Sequence, residues 1–293
     1  MQKHNSPLRY PGGKSRISDF IEDLIHGNGL EDCVFYELYA GGAGAALNLL
    51  FSGTVKQIVL NDLDYHINAF WNSIVNETSC FIKLIQDVQV NIDNWKKQKE
   101  VFLNPSEYSR IEVGFSTFFL NRVNRSGILM AGPIGGLNQD GNYKMDVRFN
   151  KVELIERIER IGALRGKITV ESRESLDLIR EIKSKSNQEK QFIFLDPPYY
   201  HQGENLYFSF YKDDDHKQLA EYLRINQDLN WFLTYDNVER INELYEGCKS
   251  ALLPMTYTLQ KKTKAKEVMY FPKTMYVPNF LRLGRKTELL SLI

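Results

Sequence analysis

The sequence predicts an α/β protein organised around a mostly parallel sheet, with a break in the pattern between residues 85 and 150. Three observations carry this. A short apolar and aromatic stretch at 34–38 runs directly into Gly41-Gly42-Ala43-Gly44 and an apolar helix through Leu47, Leu49 and Leu50. A second strand-to-helix unit follows, from 57–60 through Asn61-Asp62 to Ile67, Phe70, Trp71 and Ile74. The same alternation returns after residue 150. Strands joined in series through helices favour a parallel sheet with right-handed crossovers.

The elements follow in order from local pattern. Ile17, Phe20, Ile21, Leu24 and Ile25 recur at helical spacing after Lys14, and Gly27 and Gly29 end that helix. Within the break, Trp95-Lys96-Lys97-Gln98-Lys99, Asn121-Arg122-Val123-Asn124-Arg125 and a glycine-rich stretch at 132–141 fit no βα unit, so 85–150 reads as an inserted module. Leu154, Ile155, Ile158 and Ile161 mark the next helix, followed by a strand at 167–171, a helix at 176–182 and a strand at 192–195 that ends in Asp196. Asp213-Asp214-Asp215 caps a further helix. Strands are expected at 231–235, 251–259 and 287–293.

Composition excludes several classes. Hydrophobic residues at 43% and charged residues at 25% are ordinary for a folded chain of 293 residues, and no apolar run approaches the roughly 20 residues that span a bilayer. The start of the chain has no apolar signal region, and Cys33, Cys80 and Cys248 are too widely spaced for a zinc pair, so a reducing cytoplasm without membrane attachment is expected. Lys+Arg and Asp+Glu both number 37, so affinity for phosphate must come from local clustering. From 261 to 286 there are eight basic residues against one acid, Glu267, interleaved with Tyr270, Phe271, Tyr276 and Phe280. That mixture suits either a nucleic-acid surface or a solvated loop.

In an open parallel sheet, ligands bind beyond the carboxyl ends of the strands. Three such ends carry chemistry. Gly41, Gly42 and Gly44 let backbone approach a ligand at a helix N-terminus, or simply make a tight turn. Asp62 can accept hydrogen bonds from a ribose diol, or act as a helix N-cap. Asp196-Pro197-Pro198-Tyr199 is more specific. The prolines remove backbone donors and leave carbonyls as acceptors. An exocyclic amine offers two N–H donors, which a carboxylate and a proline carbonyl can both accept, and Tyr199 supplies a stacking face for a planar base.

The set Ser6-Pro7-Leu8-Arg9-Tyr10-Pro11-Gly12-Gly13-Lys14, Glu37-Leu38-Tyr39-Ala40-Gly41-Gly42-Ala43-Gly44, Asn61-Asp62, Leu120-Asn121-Arg122, Asp196-Pro197-Pro198-Tyr199 and Glu288-Leu289-Leu290 resembles the Dam-type, D12-class DNA adenine methyltransferases, in the motif order of their alpha group. The resemblance implies a Rossmann-like class I methyltransferase sheet with helices on both faces, formed by 1–84 and 151–293, which binds S-adenosylmethionine. It makes 85–150 a smaller, mostly helical target-recognition domain. By the same resemblance Tyr10 and Lys14 contact the cofactor, Tyr39, Ala40, Gly41 and Gly42 line its methionine end, Asp62 holds its ribose, and Asp196 and Pro197 grip the target amine beside Tyr199. Arg9, Arg122, Asn124, Arg125 and Ser126 are the candidates for contact with double-stranded DNA, and no metal is implied.

Two motifs depart from the family pattern. Tyr39 stands where the family has Phe, and Ala43 stands at the expected second glycine, with Gly44 following. After Asn121-Arg122, Arg125, Ser126 and Met130 occupy positions where the Dam pattern has duplex-entering and guanine-reading residues, which argues against GATC as the recognition site. The expected activity is methylation of the N6 amine of a flipped-out adenine. The expected setting is a monomer or weak dimer, alone or beside a restriction endonuclease or defence system. The competing readings are methylation of cytosine N4 in DNA or guanine in ribosomal RNA, and a catalytically silent DNA-binding regulator. His201 and the stretch 204–208 read as native loop.

Overall fold

The computed structural model describes residues 5–10, 13–185, 189–200, 211–254, 257–259, 261–263, 266–284, 286–290 and 292. His201, 204–208, Lys264 and Arg285 lie outside these residues. The architecture is the expected α/β one. A seven-stranded sheet has the order β3-β2-β1-β4-β5-β9-β6, formed by β1 (Val34–Glu37), β2 (Gln57–Asn61), β3 (Ile168–Glu171), β4 (Gln191–Leu195), β5 (Trp231–Asp236), β6 (Lys249–Pro254) and β9 (Lys266–Phe271). β7 (Tyr257–Leu259) and β8 (Lys261–Thr263) pair as a separate hairpin, as do β10 (Phe280–Leu283) and β11 (Lys286–Leu289).

β1 runs parallel to both neighbours, with Val34 opposite Gln57 on β2 and Gln191 on β4. Strand order reverses between β1 and β4, so the ligand-binding crevice of the fold opens beyond Glu37 and Asp196. β9 alone runs against the parallel set, antiparallel to β5 and β6.

Side chains alternate across the sheet and divide the core in two. On β4, Phe192 and Phe194 join a cluster with Phe20, Leu24, Leu47 and Phe70, whereas Ile193 and Leu195 join Leu178, Ile179, Leu219 and Ile241. Helices α1 (Ser18–Gly27), α2 (Gly44–Ser52) and α3 (Tyr65–Asn76) therefore cover one face. α8 (Ser175–Ser184) and the helices Asp213–Ile225 and Glu239–Leu244 cover the other.

Between β2 and β3 the chain adds α4 (Thr78–Asp87), α5 (Ile92–Leu103), α6 (Arg110–Val123) and α7 (Lys151–Ala163). A capping box of Ser109 and Glu112 starts α6, and a run from Val113 to Val123 is almost wholly buried. Phe118 stacks on Phe70 of α3 at 6.0 Å, and Phe81, Phe115 and Leu154 belong to the same core cluster. The inserted helices thus extend the core beneath α3.

Local differences from the sequence reading arise at the C-terminal end, where the strand expected at 287–293 is β11, ending at Leu289 and paired with β10. The single strand expected at 251–259 is β6 followed by β7. β9 was hidden because Glu267 through Phe271 are all buried and show no alternation, beneath a basic composition. Tyr270 and Phe271 consequently face the interior, and the Arg282 guanidinium binds Asp23 of α1 at 2.6 Å, so these three are structural members of the basic run.

Candidate active site

The site begins where β4 stops. Five buried residues, Gln191–Leu195, deliver the chain to Asp196, and Pro197 and Pro198 cannot continue the ladder because they lack N–H donors. The Asp196 carboxylate, 21% exposed, accepts from Lys14 Nζ through Oδ2 at 2.8 Å and from Thr234 Oγ1 of β5 through Oδ1 at 2.6 Å. Burial pushes its carboxyl above the usual range; Lys14 opposes that shift and Glu267 adds to it.

Lys14 is the cation of this network. It sits in a 3-10 turn, Lys14–Ile17, with its side chain only 2% exposed. Its ammonium reaches Asp196, Tyr199 Oη at 3.2 Å and Glu267 at 3.5 Å. The Tyr199 hydroxyl in turn donates to Glu267. A lysine is rarely buried unless paired, and here two carboxylates share it. The resemblance implies a cofactor contact for Lys14, and the structure adds its ion pair with the Asp196 side chain.

The ends of β1 and β2 form the second half. Gly41 (φ 44°) sits where an added Cβ would lie 2.7 Å from the Tyr10 ring, and at Gly42 it would lie 2.8 Å from Tyr10 Cβ. Tyr10 therefore packs directly on a turn that only glycine allows. At Gly44 the clash would be with Ser15 at 2.9 Å, and Ala43 takes a left-handed φ of 47°. Gly41 N donates to Asp62 Oδ2 at 2.8 Å, Asp64 N donates to Asp62 Oδ1 at 3.0 Å, and Trp71 Nε1 donates to Gly41 O at 2.8 Å. The N-cap of α3 is Asp64, which accepts from His66 and Ile67, so Asp62 is not used as the cap. Ala40 is buried, and Tyr39 turns its hydroxyl to Tyr211 at 2.6 Å.

Glu37, Thr234 and Glu267 belong to this site and carried no role in the sequence reading. Glu37 ends β1, is buried, and accepts from Ala46 N at 2.9 Å. Its position as the acid closing an apolar strand was the available signal. Burial pushes the Glu37 carboxyl up to about 8, against the Ala46 hydrogen bond, and pushes Asp62 up to about 7, with Asp64 adding to the shift. Glu37, Asp62 and Asp196 place acidic groups at the ends of β1, β2 and β4. A sulfonium cofactor fits this set of groups: its positive charge suits the acids as they ionise, Asp62 offers acceptors for hydroxyls, and the glycine turn gives close backbone approach.

The candidates for DNA contact divide. Arg125 and Ser126 are exposed on a turn after α6, with Ser126 at φ 56°. Asn124 is not at the surface, which corrects the sequence reading: it is 0% exposed, accepts from Trp95 Nε1 at 2.7 Å and donates to Leu129 O at 2.9 Å. A side chain satisfied in the interior cannot reach a base edge. Arg122 Nε donates to Arg148 O at 2.8 Å, and burial pushes its guanidinium down to about 10. Arg9 exchanges backbone hydrogen bonds with the Asn121 amide at 2.7 and 3.0 Å and directs its guanidinium to the carbonyls of Arg122 and Asn124. Arg9 and Arg122 thus lock the N-terminal segment onto the end of α6. Among the described residues, no group of three or more His, Cys, Asp or Glu could hold a metal ion, and no helix is long and apolar enough to cross a membrane.

A sheet of this order, with acids at the ends of β1, β2 and β4 around a glycine turn, is a Rossmann-like frame, and in the family to which the chain belongs the methyl donor held there is S-adenosylmethionine. The family model for D12 class N6 adenine-specific DNA methyltransferases matches residues 10–263, and the chain belongs to that family. It is an adenine-specific DNA methyltransferase. It is 24% identical over 249 residues to the type II methyltransferase M.CviBI of Paramecium bursaria Chlorella virus NC1A, covering 82% of this chain and 86% of that one. Solved structures with a similar course include a proposed RNA methyltransferase of Pyrococcus horikoshii (11% identity, TM-score 0.40, 90% of this chain and 86% of that chain). Another is a proposed S-adenosylmethionine-dependent methyltransferase of Streptococcus mutans (9% identity, TM-score 0.36, 85% of this chain and 47% of that chain).

Proposed function

We propose that this methyltransferase acts on double-stranded DNA at one short site, on an adenine turned out of the helix and held at Asp196-Pro197-Pro198-Tyr199. The observation that carries this reading is the posture of Asp196. Lys14 and Thr234 each take one of its oxygens, which fixes the plane of the carboxylate while each oxygen keeps a further lone pair. Asp196 and the Pro197 carbonyl accept the two N–H groups of the adenine amine, so the nitrogen lone pair points away from both acceptors. Tyr199 stacks on the base. S-adenosylmethionine would supply the methyl group from its sulfonium and leave as the neutral thioether S-adenosylhomocysteine, while the nitrogen gives up one N–H proton toward the Asp196 carboxylate that accepts it. The chain contributes position: aligning a nucleophile with its partner is worth up to roughly 7 to 11 kcal/mol in favourable cases. Unpairing and unstacking the adenine to turn it out of the duplex costs a few kcal/mol.

In this reading Tyr10, Gly41, Gly42 and Asp62 bind the cofactor, and 85–150 recognises the target through Arg125 and Ser126. The name of the viral relative favours a restriction–modification setting, with a cognate endonuclease as partner. The enzyme works as a monomer or weak dimer.

The test is expression in a methylation-free host, with adenine methylation read across the genome by single-molecule sequencing and Asp196→Ala as control. Methylated adenine in one motif, absent in the control, supports the reading. Full methylation by Asp196→Ala refutes the proposed mechanism, and no methylation by a folded wild-type protein favours a silent DNA binder.

A further inference from the structure

Glu267 is the one acid in a run of basic residues, yet it is 1% exposed, and its carboxylate points into the active site. Topology explains its place. β9 is antiparallel to β5, with Glu267 opposite Asp236, so the start of β9 lies where β4 and β5 end. A parallel strand there would have put the same residue at the opposite edge of the sheet.

We infer that Glu267 is a positioning residue for methyl transfer, acting on Tyr199 through its hydroxyl and on Asp196 through the lysine the two acids share. This role rests on those proposed for Asp196 and Tyr199. The Tyr199 hydroxyl accepts from Lys14 and donates to Glu267, so the two partners fix its ring orientation, and with it the surface on which a base stacks. Lys14 stands 2.8 Å from Asp196 and 3.5 Å from Glu267. With Glu267 in place, the ammonium charge is divided. Without that second carboxylate, Lys14 draws on Asp196 alone, and the lone pairs that accept the target amine become poorer acceptors. The charged and titratable groups around Asp196 are Lys14, Glu267, Glu37, Tyr199 and Tyr235, the last on β5. Glu267 raises the Asp196 carboxyl within that set and Lys14 lowers it.

The experiment compares wild type, Glu267→Gln, Tyr199→Phe, their double variant and Asp196→Ala on a methylatable DNA. Glu267→Gln keeps the shape and an acceptor for the hydroxyl but removes the charge. It should lower kcat by about 10- to 100-fold, the size expected when reacting groups are displaced by about 1 Å, with KM for DNA little changed. The acid limb of the pH–rate profile should move to lower pH, because Asp196 loses a like charge. The loss in the double variant should fall short of the product of the two single losses, since both changes act on one contact. A kcat and acid limb equal to wild type in Glu267→Gln, with Asp196→Ala inactive, overturn the inference and leave the proposed site standing. An active Asp196→Ala overturns the proposed site itself.

Discussion

Asp62 accepts the backbone N–H of Gly41 at 2.8 Å, so the turn that follows β1 is held by the residue that follows β2. The same carboxylate takes Asp64 N, which links it to the start of α3. One side chain thereby ties together the ends of β1 and β2. Trp71 closes the arrangement from α3 by donating to Gly41 O.

Asp62→Ala should weaken S-adenosylmethionine binding by about 10- to 100-fold, as expected for losing hydrogen bonds to a charged group worth about 1.5–3 kcal/mol. Calorimetric titration of the folded variant checks this. Affinity equal to wild type removes Asp62 from the cofactor site.

Glu37 makes a signed prediction about pH. Its carboxyl is pushed up to about 8 in the fold, from 4.5 without burial. Between those values the folded protein holds a proton that the unfolded chain has released, so this group's contribution to stability is present at low pH and lost as pH rises toward 8. Glu37→Gln lacks the term. The difference in Tm between wild type and variant, measured without cofactor, should therefore move against wild type from pH 5 to pH 8. A constant difference across that range contradicts the assignment.

Cofactor charge gives a companion prediction. As Asp62, at about 7, and Glu37, at about 8, lose their protons, the site becomes more negative. Affinity for S-adenosylmethionine should rise from pH 6 to pH 8, and affinity for S-adenosylhomocysteine, which lacks the sulfonium charge, should rise less. Parallel titrations of both ligands decide the matter.

Lys14→Met leaves Asp196 and Glu267 facing each other with no cation between them. Breaking a buried ion pair from one side costs about 3–5 kcal/mol, so urea unfolding should show a loss of that size together with loss of methylation. Adding Glu267→Gln should recover part of the stability. No recovery would mean that the two acids do not share the lysine.

Asn124 and Arg125 are neighbours with opposite expectations. Asn124→Ala removes a buried amide with several hydrogen bonds and should cost about 2–3 kcal/mol of stability. Arg125→Ala, at an exposed position, should leave stability within about 0.5 kcal/mol while reducing the salt dependence of DNA binding by about one phosphate contact. An unchanged salt slope places Arg125 outside the DNA interface.

The elements that position the site were legible where pattern is local. Strand, glycine turn and helix at 34–50 and the acid after β4 follow from residues adjacent in the chain, and the observed β1, α2 and β4 begin and end within a residue or two of those bounds. β9 was not legible because a strand buried on both faces has no alternation and its first residues are charged. Asn124 was misplaced for a related reason: an amide next to Arg125 and two residues from Arg122 reads as a surface contact until the Trp95 donor from α5 covers it.

By itself, then, the sequence determined the class of sheet and the Asp196-Pro197-Pro198-Tyr199 segment, which depend on residues adjacent in the chain, while the resemblance of its ordered motifs pointed to the family and, through it, to the methyl donor. Only the tertiary structure decided which groups surround Asp196. Lys14, Thr234 and Glu267 are 182, 38 and 71 positions away in sequence. Strand order brings β5 beside β4, and the reversed direction of β9 turns an acid from a basic segment inward. Pairing in a sheet carries no local signature of its partner, so these neighbours become visible only once the sheet has formed.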